Sequence, residues 1–443
     1  MDEIASEPSL DSRLNTPKDM VDYFGSKLRT TDDCQCRPPI HSLKEALAQL
    51  PHLHSSMVAA CDWLINVSQV TTEEVDPQHN PRNLCHDYWK GAFRGEYRVG
   101  TKQWDFFCPC WHGGQAVKAL CLAYEVSRDE RCLESARMAG EFLLSCQVQE
   151  GVDSGLLLAY EDFSDKVNSS AVLESLDGLF HLADATGDTR YEQAAIAALR
   201  WVRDHTWVKG EGMIIACYDP VAHQTIEPAF VLERGGAGRP LADDAVFLKG
   251  YQRSTDQSLR EVFYDIMNRL LIEERPQGNW VGYGPCNHET GEIHPRQAYW
   301  WGKPMMDAYR DSGEQRWLDA ACRSATWYTK AQRRDGGLFR MTDLNFNTGC
   351  FNHATSGIVC AAIFWVELFE LTGQTKWLEP VRKAMDYAMS MQFVEPKDPN
   401  LTGCILEKII APDGTDRSPY HIRDLGTTFF VQAAAKLILA GQG

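Results

Sequence analysis

Glu367-Leu368-Phe369-Glu370-Leu371-Thr372-Gly373-Gln374-Thr375-Lys376-Trp377-Leu378 holds the end of one helix and the start of the next. Gly373 can end a helix in the left-handed conformation, and the polar residues after it can cap the following one. Upstream, Ile358, Val359, Ala361, Ala362, Ile363, Phe364, Trp365 and Val366 make a helix apolar on every side, which must be enclosed on every side. Downstream, Val381, Ala384, Met385, Ala388 and Met389 recur at i, i+3, i+4, i+7 and i+8, the pattern of a half-buried helix. The unit is therefore an inner helix, a tight turn and an outer helix.

The same punctuation stands at Ser127-Arg128-Asp129-Glu130, Thr186-Gly187-Asp188-Thr189, Ser254-Thr255-Asp256-Gln257 and Ser312-Gly313-Glu314-Gln315. With Thr372, the first residues of these turns are 59, 68, 58 and 60 positions apart, a period that marks repeated supersecondary units rather than separate domains. Inner helices are expected near 112–127, 172–186, 240–254, 296–312, 353–371 and 424–439. Outer helices are expected near 57–70, 129–147, 188–206, 257–273, 314–331 and 375–392. The series begins on an outer helix and finishes on an inner one, so its ends can pair and close a ring. The expected fold is all-α, an (α/α)6 barrel over residues 41–443. Residues 1–40, with Pro38-Pro39 and no clear periodicity, read as an N-terminal arm. The inner-to-outer turns are about four residues long, whereas the outer-to-inner connections run roughly 20 to 41, far beyond the usual ~4–6. All the long loops gather where the inner helices begin, and long loops on a rigid scaffold are where binding and catalysis sit.

Composition narrows the function. The 443 residues are 44% hydrophobic and 24% charged, enough to bury a large core. Lys plus Arg number 44 against 61 Asp plus Glu, a formal charge of −17, and no basic run offsets it, so no nucleic-acid partner is expected. No apolar stretch reads as approaching the ~18 residues of a membrane span, so no membrane partner is expected. The acidic start Met1-Asp2-Glu3-Ile4-Ala5-Ser6-Glu7 lacks the order of a secretory signal, and the 15 cysteines are odd in number and scattered. Reduced thiols and a cytoplasmic location are expected.

With Trp111-His112-Gly113-Gly114-Gln115-Ala116 and Thr372-Gly373-Gln374-Thr375-Lys376-Trp377-Leu378 on the twelve-helix pattern, the chain resembles the six-hairpin glycosidase superfamily over about residues 50–440. Within it the chain looks most like the uronate-processing members, the unsaturated glucuronyl and rhamnogalacturonyl hydrolases and β-glucuronidases. The resemblance implies an active site in the funnel formed by the loops before the inner helices, and catalytic aspartates on successive inner helices.

The first turns of the inner helices carry the polar residues such a funnel needs. They are His112 and Gln115; Glu174 and Asp177; Arg239, Asp243 and Asp244; Arg296 with Trp300 and Trp301; Asn352, His353 and Ser356; and His421, Arg423, Asp424 and Thr427. Capping accounts equally well for Asn352, Ser356 and Asp424. Glycoside cleavage needs a proton donor and a second carboxylate. Asp243 or Asp244 is expected as general acid/base with Asp177 as partner, and Glu174 stands in reserve; Asp177 could instead cap or pair with a buried Arg. Arg234, Arg239, Arg296, Arg423, His112, His353 and His421 would gather positive charge at the mouth, where guanidinium forks and helix N-termini favour an acidic sugar. Trp104, Trp111, Trp280, Tyr299, Trp300 and Trp301 suit stacking on sugar faces, though Trp300 and Trp301 cannot both face the pocket from one helix.

The expected function is hydrolytic removal of a glucuronate-type sugar from an oligosaccharide, with no cofactor; homo-oligomerisation stays open. Other enzymes of the same toroid remain alternatives. An epimerase or isomerase would use His353 and His421, and a polysaccharide lyase Tyr299 or Tyr420. A zinc-dependent arabinofuranosidase-like enzyme would use the first loop, where Cys85, His86, Cys108, Cys110 and His112 concentrate, with Cys34 and Cys36 in the arm. A non-catalytic sugar-binding toroid is the remaining class.

Overall fold

Five helical hairpins turn at a residue of positive φ: Arg128 (56°), Gly187 (73°), Thr255 (60°), Gly313 (71°) and Gly373 (66°). The hydroxyl residue just before each of them does two jobs. Ser127, Thr186, Ser254, Ser312 and Thr372 each donate to the carbonyl four residues back and accept from the N–H two residues on. Asp129, Asp188 and Asp256 then cap the next helix through the N–H groups of Arg131, Arg190 and Ser258. Polar groups that a helix end would leave unpaired are thus satisfied within four residues.

The computed structural model describes residues 37–80, 84–99, 101–161, 165–227, 238–348, 354–407 and 421–442 of the chain. A short helix α1 (Leu43–Ala48) precedes the ring. In chain order the ring is then outer α2 (Leu53–Trp63, continued by a π turn Leu64–Ser68), inner α3 (Pro109–Ser127), outer α4 (Glu130–Ser145), inner α5 (Ser169–Thr186) and outer α6 (Thr189–His205). It continues with inner α7 (Val246–Ser254, after a 3-10 turn Asp243–Ala245), outer α8 (Gln257–Glu273), inner α9 (Pro304–Ser312, after a π turn Ala298–Gly302) and outer α10 (Gln315–Ala331). Inner α11 (Thr355–Thr372), outer α12 (Leu378–Ser390) and inner α13 (Leu425–Gln442) complete it. α13 packs on α3, α11 and the outer α2, so the ring closes on itself. The (α/α)6 architecture and the alternation of enclosed and half-exposed helices are as the sequence led one to expect.

Between α3 and α5 the backbones touch. A Cβ on Gly114 would overlap the backbone of Ser175, and one on Gly178 would overlap the carbonyl of Gly114. Elsewhere the core is filled by large side chains such as Trp63, Trp280, Trp301, Trp317, Trp365 and Trp377, all essentially sealed from solvent. One expectation needs correcting. Thr355–Thr372 is long and apolar enough to cross a membrane by length and composition, but it is an inner helix and 78% of it is buried within the ring.

The long connections carry small sheets that the helical reading did not anticipate. β1 (Gly95–Arg98), β2 (Gln103–Phe106) and β8 (His421–Arg423) form one antiparallel sheet in the order β2-β1-β8, tying the first long loop to the residues that open α13. β3 (Val167–Asn168) pairs with β6 (Cys217–Asp219), which pairs with β7 (Gln224–Ile226); β4 (Trp207–Val208) pairs with β5 (Met213–Ile214). Strands of two to four residues are too short for alternation to be legible in sequence.

Candidate active site

Two carboxyl groups set the chemistry of the loop end. Glu174, in the second turn of α5, and Asp243, in the 3-10 turn before α7, are 8% and 5% exposed, and neither side chain has an ion-pair partner among the described residues; Asp243 accepts only from its own backbone N–H. Burial raises both proton affinities. Burial and then repulsion from Asp243 hold the Glu174 carboxyl well above its usual range, while Arg296 pulls the other way. Burial and then the neighbouring Asp244 push Asp243 up to about 7, against the pull of Arg239 and Arg296. Burial and mutual repulsion thus favour the protonated form of each, the direction wanted in a general acid.

Asp244 and Asp177 have a different setting from the catalytic one expected of them. Lys118 Nζ lies 2.8 Å from Asp177 Oδ2 and 2.8 Å from Asp244 Oδ1, and Lys249 Nζ lies 2.5 Å from Asp177 Oδ1. Burial alone would raise these two aspartates, but Lys118 above all, then Lys249, holds both below the ordinary range. Tyr299 donates to Asp244 Oδ1 at 3.4 Å, and Gln115 Nε2 donates to Asp244 Oδ2 at 3.3 Å. Asp177 is thus a fixed anion in a buried network, paired with lysines rather than poised for proton transfer. The two lysines stand on α3 and α7, and nothing in sequence marked them.

The backbone separates Asp243 from Asp244. Asp244 (φ 50°) and Ala245 (φ 53°) are consecutive non-glycine residues in the left-handed region, a conformation held only where the surroundings enforce it.

Arg296 forms the cationic wall. Its guanidinium lies 4.9 Å from the Trp300 ring centroid, 5.3 Å from Trp111 and 5.9 Å from Phe429, and Nη1 is buried with no hydrogen-bond partner among the described residues. Trp300 also stacks on His294 at 5.1 Å. Trp301 points away, 2% exposed, against Trp280 and Tyr283. Sequence could say that one of the two tryptophans is core, and the π turn decides which.

The remaining expected binding residues are mostly committed elsewhere. His112 is fully buried with Nδ1 2.5 Å from Asp424 Oδ1. Gln115 donates to the Glu174 carbonyl and accepts from Gln432. Arg423 is paired with Glu96 across the β1–β8 ladder and stacks on Phe107. Arg239 donates to the Gly284 carbonyl at 3.1 Å and contacts Ser170 Oγ at 3.4 Å, beside the carboxyl pair. Arg234, Asn352, His353 and Tyr420 lie outside the described residues, as do Cys34, Cys36 and the side chain of His421. The expected ring of cations therefore reduces, among the described residues, to Arg296 with Arg239 behind it. Glu407 was missed. It caps α11, accepting from the Ser356 N–H at 2.8 Å and the Ser356 hydroxyl at 2.6 Å. It stands in a loop with no periodic signal, and only the ring brings it to α11.

No family model matches the sequence, and no curated protein matches it. Solved structures do. A cellobiose 2-epimerase from Bacillus thermoamylovorans superposes with a TM-score of 0.62 at 13% identity, covering 79% of this chain and 92% of that one. An unsaturated glucuronyl hydrolase specific for heparin gives 0.61 at 12% identity over 87% and 97%. A family 76 glycoside hydrolase (mannosidase) from Bacteroides thetaiotaomicron gives 0.59 at 14% identity over 88% and 98%. The chain shares the (α/α)6 toroid fold of these structures. Its structural neighbours are carbohydrate-active enzymes, spanning hydrolases, epimerases, an isomerase and a lyase.

Proposed function

We propose that the protein is a glycoside hydrolase that removes an acidic, glucuronate-type sugar from an oligosaccharide, with Glu174 and Asp243 as its acid/base pair. The observation that carries this reading is the pair itself: two buried carboxyls at adjacent inner helices, free of ion pairs among the described residues, with proton affinities raised by burial and by neighbouring negative charge. One carboxyl gives its proton to the leaving oxygen while the other, ionised, activates water or attacks the anomeric carbon. Asp244 remains anionic on Lys118 and keeps Asp243 proton-rich by repulsion. The free Nη1 of Arg296 supports an acidic sugar, because a guanidinium can hold a carboxylate through paired hydrogen bonds. Trp111 and Trp300 offer apolar faces to the sugar ring. The described cysteines stand as thiols rather than in disulfides, which favours a cytoplasmic enzyme that trims oligosaccharides already inside the cell.

Aryl β-glucuronides and unsaturated uronyl disaccharides test the reading, with Glu174→Gln and Asp243→Asn as controls. Release of a free uronate, lost in both variants, is the expected result; turnover of neutral glycosides alone would overturn the acidic-sugar assignment. A second reading, sugar epimerisation, rests on the same pair, since carboxyls of raised proton affinity can also take and return a proton at a sugar carbon. Product mass separates the two: hydrolysis adds water and epimerisation leaves the mass unchanged.

A further inference from the structure

The first long loop, the start of α3 and the end of α4 meet at a second cluster, which the acid/base pair does not use. His86, Cys110 and Cys146 each bring one donor atom to a point where all three lie within 4.8 Å of one another. Cys146 Sγ and His86 Nδ1 are 3.7 Å apart. In a tetrahedral zinc site, bonds of about 2.3 Å to sulfur and 2.0 Å to nitrogen place neighbouring donors about 3.6 Å apart. The sulfur–nitrogen separation is therefore already that of a tetrahedral edge.

We propose that His86, Cys110 and Cys146 bind one zinc-type divalent cation that staples the first loop to the α3–α4 hairpin. The donor set is soft, two sulfurs and an imidazole, which favours zinc over magnesium or calcium. Cys110 and Cys146 are both buried, and both are free thiols. The His86 ring is walled by Trp89, Phe142 and Tyr160, with centroids 5.4 to 5.5 Å away, which fixes its orientation. Its Nδ1 is the nitrogen turned to Cys146, and its Nε2 is buried without a hydrogen-bond partner among the described residues. The three residues come from separate elements: the loop, the first turn of α3, and the residue that caps α4. No local spacing reveals such a set. Of the residues that sequence placed together, His86 and Cys110 belong to it, whereas His112 is turned to Asp424.

Binding involves no redox change. The cation replaces the thiol protons of Cys110 and Cys146, which pass to solvent, and the fourth position falls to water or the adjacent Cys85. The consequence reaches the candidate active site, because Cys110 is followed directly by Trp111, one of the rings over Arg296.

The test is metal analysis of the full-length, thiol-reduced protein after zinc reconstitution, followed by exchange with cobalt(II) under anaerobic conditions. The expected result is about one metal per chain. The cobalt protein should show thiolate-to-metal charge transfer in the near ultraviolet and the visible bands of a tetrahedral site. Cys110→Ser and Cys146→Ser should each lower the metal content several-fold, while Cys217→Ser, a buried thiol elsewhere, should keep it. Reconstituted wild-type protein without stoichiometric metal or charge transfer overturns the proposal, as does a Cys110–Cys146 disulfide under the same reducing conditions. Equal metal loss from Cys217→Ser also overturns it. The wild-type cobalt spectrum decides the matter even if a serine variant fails to fold.

Discussion

Asp243 and Asp244 are consecutive in the chain and opposite in proton affinity. Asp244 binds Lys118 Nζ at 2.8 Å and is held below the ordinary carboxylate range, while Asp243, without such a partner, is raised to about 7. Two left-handed residues, Asp244 and Ala245, send the side chains to different neighbours. The turn thus sets Asp244 on Lys118 and leaves Asp243 off it, the kind of asymmetry from which an acid arises.

If Asp243 and Glu174 form the acid/base pair, Asp243→Asn and Glu174→Gln should each lower kcat/KM on the responding uronide by on the order of 10²–10⁴. Both substitutions keep the side-chain volume, and neither breaks an ion pair among the described residues. Circular dichroism should therefore show an intact helical fold alongside the lost turnover.

The raised carboxyl of Asp243 also makes stability depend on pH. A carboxyl at about 7 in the folded chain and near 3.8 unfolded means that the native state binds more protons between those values. Stability should then fall as pH rises through that window, with the full penalty present above pH 7. Asp243→Asn should flatten this slope, and its melting temperature should exceed that of the parent at pH 8 by more than at pH 5. A parallel shift at both values would remove the linkage.

Lys118 should matter for folding more than for chemistry. Replacing it with Met leaves Asp177 with Lys249 and His181, and Asp244 with only neutral hydrogen-bond donors. Breaking a buried ion pair in this way costs about 3–5 kcal/mol. Asp177→Asn should likewise destabilise the protein, seen as a lower urea midpoint, while turnover per folded molecule is retained. Loss of turnover with unchanged stability would return Asp177 to the catalytic role.

Arg296→Lys keeps the charge and loses the planar fork and the stacking on Trp111 and Trp300. A charge-assisted hydrogen bond to a buried partner is worth about 1.5–3 kcal/mol, so KM for an acidic sugar should rise at least tenfold. Any neutral glycoside turned over should be affected much less. Equal effects on both would mean that Arg296 only packs.

Gly114→Ala should separate α3 from α5. The added methyl meets backbone rather than a flexible side chain, so the overlap cannot be relieved locally, and overpacking of about 1–3 kcal/mol or more is expected. Chemical denaturation checks it.

Sequence by itself determined the repeat. The hydroxyl residue, the left-handed turn residue and the capping aspartate act within four positions, and helical periodicity acts within one helix, so six hairpins and their inner and outer faces could be read directly. The polar residues at the inner-helix starts were legible for the same reason. Which of them do chemistry was not, because a carboxyl's proton affinity depends on partners about 60 to 130 positions away. Lys118 on α3 and Lys249 on α7 hold the Asp177 carboxyl low, whereas burial and the neighbouring Asp244 raise that of Asp243, which has no ion-pair partner among the described residues. The π turn before α9 decides that Trp300 rather than Trp301 meets Arg296. Cys146 joins His86 and Cys110 only because the end of an outer helix comes back beside the start of an inner one. Local patterning writes a ring; only closing the ring sets the electrostatics inside it.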